Sequence, residues 1–78
     1  MKYNFKTEFL YRDVEKDITY RRIIHGYIFE GKINQKVIFQ TNDTTSMDLY
    51  ITNIDDVVLE NGFSKTIILS KTPNQYVI

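Results

Sequence analysis

The chain has 78 residues, which suffices for one hydrophobic core and excludes a second one within it. It contains no cysteine and one histidine, His25, so neither a disulfide framework nor a four-ligand zinc site of nitrogen and sulfur can be drawn from it. Ten Lys/Arg balance ten Asp/Glu, and a net charge of zero argues against a surface built wholly for a polyanion.

There is no alanine, whereas Ile, Thr and Val together supply 24 β-branched residues and Phe and Tyr add 11 aromatics. These side chains lose rotamer freedom in a helix and pack well on a pleated surface. The expected fold is therefore a single all-β domain over residues 1–78. Its expected form is a meander of five or six mainly antiparallel strands, bent into a strongly curved sheet or small open barrel.

In chain order, Lys2 to Arg12 alternates cleanly, with Tyr3, Phe5, Thr7, Phe9 and Tyr11 on one face, and predicts the first strand. Asp13 to Asp17 is a charged connection of hairpin length. Ile18 to Glu30 also fits a helical spacing through Tyr20, Ile23, Ile24 and Tyr27, but Ile, Thr and Tyr dominate the window. Gly26 would cost a helix interior about 1 kcal/mol, so strand is the better reading. Glu30-Gly31 then reads as a tight turn into Lys32 to Thr41. Counting outward from it sets Ile28 opposite Ile33, Ile24 opposite Val37 and Arg22 opposite Phe39. The other face of this hairpin carries Arg21, His25, Tyr27 and Phe29 with Lys32 and Lys36.

Asn42 to Thr45 is a polar loop, and Ser46 to Ile54 alternates as a fourth strand. Asp55-Asp56 reads as a turn, or as the start of one short helical turn over 55–61 capped by Gly62. A hairpin over Asn61-Gly62, joining Val57–Leu59 to Phe63–Ser70, is the preferred alternative because Asn-Gly supplies the backbone that tight hairpins need. Thr72-Pro73-Asn74 breaks that strand, and Tyr76–Ile78 is a short closing edge.

No catalytic, metal or cofactor site is expected. Three isolated glycines match no phosphate-cradling loop, and Asp55 with Asp56 lacks the spacing of a calcium loop. No serine is placed with His25 in a nucleophile motif. A metal-independent nuclease using His25 with Arg21 or Lys36 ranks third among the functional readings. No apolar run approaches the ~20 residues of a membrane helix, and Met1–Lys6 does not resemble an export signal, so the expected setting is cytoplasmic and off the membrane.

Charge is uneven along the chain. Residues 1–39 carry eight Lys/Arg against five Asp/Glu, and residues 40–78 carry two against five. From Gln40 to Ser64 there is no Lys or Arg, but there are Asp43, Asp48, Asp55, Asp56 and Glu60. Such a segment either meets the basic first half across the fold or presents an acidic surface. With Tyr50 as an aromatic anchor it is the candidate protein-binding surface. The expected function is a small interaction module, of the kind a phage or mobile element uses to inhibit a host protein with a basic, nucleic-acid-handling surface. Aromatics left on an uncovered sheet face also suit a homodimer. The alternative is a small barrel that binds RNA or single-stranded DNA through Arg21, His25, Tyr27, Phe29 and Lys36, cations following phosphates while rings stack on bases.

Overall fold

A computed structural model describes residues 4–40 and 45–74. The strands are β1 (Asn4–Asp13), β2 (Ile18–His25), β3 (Lys36–Gln40), β4 (Ser46–Leu59) and β5 (Gly62–Ser70), and the described residues contain no helix. They form one mixed sheet, ordered β2-β1-β5-β4-β3 and curled into an open half-barrel. The all-β class, the strand number and the strong bending agree with the sequence. One ladder departs from a meander: β1 and β5 run parallel, Phe5 beside Phe63 through Tyr11 beside Leu69.

Burial follows the period of two. Tyr11, Phe39, Leu49, Ile51, Ile67 and Leu69 form the core on one face of β1, β3, β4 and β5. Fully burying such a side chain contributes roughly 1.5–3 kcal/mol, so this cluster is the main cohesive element of so small a domain. In β4 the alternation that puts Met47, Leu49 and Ile51 inward slips at Thr52, where a bulge shifts the register between Ile51 and Asn53. The extra residue brings Ile54 to the core face beside Ile67 and bends the strand, which helps the sheet curl.

The connection between β1 and β2 falls where the charged segment predicts it. The Lys16 amide donates to the Asp13 carboxylate at 3.2 Å, and Arg12 pairs with Asp17, whose φ of 56° is of the kind Asp tolerates.

Three sequence expectations need correction. The predicted hairpin over Glu30-Gly31 does not form: β2 pairs with β1, from Lys6 opposite His25 to Asp13 opposite Ile18, and β3 pairs with β4. Strand β2 stops at His25 because Gly26 turns the chain at φ 74°. The following segment then crosses the core face instead of doubling back. Thr7, fully buried on β1, donates from its hydroxyl to the Tyr27 carbonyl at 2.6 Å and accepts from the Phe29 amide at 3.1 Å. The tight turn comes later, where the Gln35 amide donates to the Lys32 carbonyl at 3.0 Å and Asn34 takes the positive φ of 71°.

Asp55-Asp56 forms neither a turn nor a helical turn. Both lie within β4, Asp55 opposite Thr66 and Asp56 opposite Lys65, where an ion pair of 3.7 Å compensates a poor strand former. The hairpin that follows is present, but its turn is Glu60-Asn61 and Gly62 opens β5. Gly62 has no positive φ; a Cβ there would strike the Asn4 carbonyl oxygen, so glycine serves close approach to β1. The predicted loop at 42–45 and the closing edge Tyr76–Ile78 lie wholly or mostly outside the described residues.

Candidate functional site

The curl brings the two edge strands, β2 and β3, to face each other across the open side of the half-barrel. Among the described residues, the outward backbone groups of Thr19, Arg21 and Ile23 on β2 and of Lys36 and Ile38 on β3 have no strand partner. The Gly26 amide donates to the Phe5 carbonyl, which by antiparallel alternation turns Arg22 and Ile24 toward β1 and leaves Thr19, Arg21 and Ile23 pointing outward. On β3 the Ile51 amide donates to the Gln35 carbonyl, so Val37 and Phe39 face β4 while Lys36 and Ile38 point outward. No Cα of β2 lies within 8 Å of a Cα of β3. Arg22 spans the gap, its Nη1 donating to the Gln40 carbonyl at 3.3 Å.

Beneath the gap lies an apolar cavity of about 470 Å³. Phe9 and Phe29, edge to face at 5.4 Å, make its floor with Tyr27. Ile24 lines it from β2, and Val37, Ile38 and Phe39 from β3. Ile38 is 74% exposed, which is unusual for a large apolar side chain in a strand. Among the described residues Arg22 is the one charged residue lining the cavity. The chain has three arginines; Arg12 pairs with Asp17 and Arg21 with Glu8 at 2.6 Å, whereas Arg22 has no carboxylate partner among the described residues.

The predicted nucleic-acid set is divided by this arrangement. Arg21 and His25 stand on the outer face of β2, Lys36 on the outer face of β3 at the opposite edge of the sheet, 3.8 Å from Asp48. Tyr27 and Phe29 lie on the core side, Phe29 packed against the core. His25 and Lys6 instead flank a second cavity of about 450 Å³ at the end of the barrel, with Phe5 and Phe63.

The acidic set is partly assembled. Asp48, Tyr50 and, beyond the bulge, Asp55 lie along the outer face of β4. Asp56 turns to the other face toward Lys65, and Glu60 sits in the terminal turn. Asp43 lies outside the described residues. Both sequence readings of the acidic segment therefore hold in part: Asp48 meets Lys36 of the basic first half, and Asp55, hydrogen-bonded by Asn53, stays exposed. On the outer face the uncharged Ser64, Thr66, Ile68 and Ser70 of β5 separate β4 from the basic residues of β1 and β2.

Arg22, Ile24, Val37 and Ile38 were not candidates from the sequence. A signal was present, since the predicted register already set Ile24 opposite Val37 and Arg22 opposite Phe39. Those residues line one cavity, but from strands that do not pair with each other. Among the described residues no group of three His, Asp or Glu is placed to hold a metal ion, and no helix is long and apolar enough to cross a membrane. Comparison with family models, with curated proteins and with solved structures gives no match for this chain.

Proposed function

We propose that this domain acts by binding protein, accepting one extended segment of a partner as an additional strand between β2 and β3. The observation that carries this reading is the slot itself: two edges with unpaired backbone groups, more than 8 Å apart, over an apolar floor. Adjacent strands lie about 4.8 Å apart, so one inserted strand needs about 9–10 Å between its neighbours. Main-chain hydrogen bonds then supply affinity, and alternate side chains entering the cavity supply selectivity. The acidic strip of Asp48, Tyr50 and Asp55 supports a finer version, in which the partner carries a basic surface beside the captured segment and is inhibited by its capture. A chain without cysteine suits the reducing cytoplasm.

Nucleic-acid binding is the competing reading, and the separation of Tyr27 and Phe29 from Arg21 and Lys36 counts against it. The test is amide exchange and affinity measured with a displayed library of seven-residue peptides and, separately, with a mixed single-stranded oligonucleotide pool. Peptide binding that protects the outward amides of Ile23 and Ile38, and that Ile38→Lys removes, is the expected result. Salt-sensitive oligonucleotide binding abolished by Arg21→Ala, with no selected peptide, would replace this reading with the other.

A further inference from the structure

Resting on the strand-capture reading, we infer that the captured segment bears a carboxylate which Arg22 binds inside the slot. Arg22 is set apart by its surroundings. Its strand neighbour Arg21 points to the outer face and is neutralised by Glu8. Arg22 points to the core face beside Phe9 and carries its charge into a cavity whose other described lining residues are aromatic, aliphatic or amide. Among the described residues its polar contact is a neutral carbonyl at the long distance of 3.3 Å.

A strand entering the gap comes between Arg22 and Gln40 and breaks that contact. The guanidinium would then be covered by the incoming chain, and a cation losing water needs an anionic or strongly accepting partner. A carboxylate matches its planar fork with two parallel hydrogen bonds. The cavity dictates what flanks this position. On the core face of β2 the residues two places either side of Arg22 are Tyr20 and Ile24, so the inserted strand should present apolar, acidic and apolar side chains at alternate positions. The selected motif is thus an extended segment with Asp or Glu between two apolar residues at spacing two, and it is a partner's segment that this describes, not a lipid or a nucleic acid.

The test uses the full chain and a displayed library of seven-residue peptides in which the three alternate positions facing the slot are randomised and the others are threonine. Wild-type protein is expected to enrich Asp or Glu at the central position with apolar residues on either side. Arg22→Glu, whose sheet circular dichroism should be unchanged, is expected to exchange that preference for Lys or Arg. Arg22→Gln should weaken the best acidic peptide by about tenfold, the low end for a charge-assisted pair near a surface. Apolar peptides selected without a central acid, or an acid preference that survives Arg22→Glu, would overturn the carboxylate inference and leave strand capture standing. No selected peptide at all would overturn strand capture itself. So would concentration-dependent dimerisation that protects Ile23 and Ile38, since a second copy would then be the occupant.

Discussion

Three single residues bear weight out of proportion to their size. Thr7 holds the floor of the slot, its hydroxyl serving the Tyr27 carbonyl and the Phe29 amide at once. Thr7→Val keeps the shape but leaves two backbone groups without a partner, and should cost about 1–3 kcal/mol in urea denaturation while weakening peptide capture. Gly62→Ala places a methyl against the Asn4 backbone and should cost about 1–3 kcal/mol. Gly26→Ala meets nothing within 4 Å and should cost only the left-handed conformation, about 1–2 kcal/mol. If Gly26→Ala proved much the worse, conformational freedom and not close approach would be the dominant demand on glycine in this fold. Lys71 adds a pH dependence. Electrostatic interaction with Tyr11 first, then with Asp13 and Glu15, raises its pKa above the ordinary 10.5. The folded chain therefore keeps a proton that the unfolded chain has released. Its stabilising contribution is complete below pH 10.5 and disappears as pH climbs through the raised value. The stability difference between wild type and Lys71→Gln should accordingly shrink on the alkaline side.

At the scale of elements, the strands divide into a rigid centre and two yielding edges. Strand β5 holds only buried and half-buried residues, whereas in β2 only Tyr20 is half-buried and the rest are exposed. Ile67→Ala should lose about 2–5 kcal/mol, and Ile23→Ala, on the outer face of β2, well under half of that. Amide exchange offers a finer check: along β2, Arg22 and Ile24 should exchange slowly and Arg21 and Ile23 quickly, in strict alternation. The elements themselves are legible wherever alternation is clean, as in Phe5 through Tyr11 and Met47 through Ile51. Pairing is less so. A two-residue signal at Glu30-Gly31 predicts a local hairpin, but Gly26 and the buried Thr7 hydroxyl divert the chain across the core, and no property of the intervening residues alone reveals that diversion. The bulge at Thr52 hid the far half of β4 in the same way, because one added residue reverses the phase and makes Asp55 and Asp56 look like a break. The slot is not legible in the sequence for a related reason: Arg22 and Ile38 matter only because their strands do not meet.

At the scale of the molecule, cohesion and open edges fall to different parts of one sheet. The core joins β1, β5, β4 and β3, while β2 and the outer edge of β3 keep their unpaired groups available. Such edges invite indiscriminate association. Arg21 and Arg22 on β2 and Lys36 on β3 limit this by charge, and Ile38 is the gap in that protection. Ile38→Lys should therefore raise solubility at high protein concentration with a stability change within about 0.5 kcal/mol, as judged by light scattering and thermal melting.

The parallel neighbourhood of β1 and β5 has a kinetic consequence. Among the described strands only β5 pairs with both hairpins, β1 with β2 and β3 with β4, which otherwise touch through the segment after Gly26. A nascent chain that has not yet delivered residues 62–70 lacks the strand that brings Ile67 and Leu69 into the core, so consolidation must await synthesis of β5. Ribosome-stalled intermediates shorter than this should be degraded readily by protease, with resistance arriving abruptly once β5 has cleared the exit tunnel.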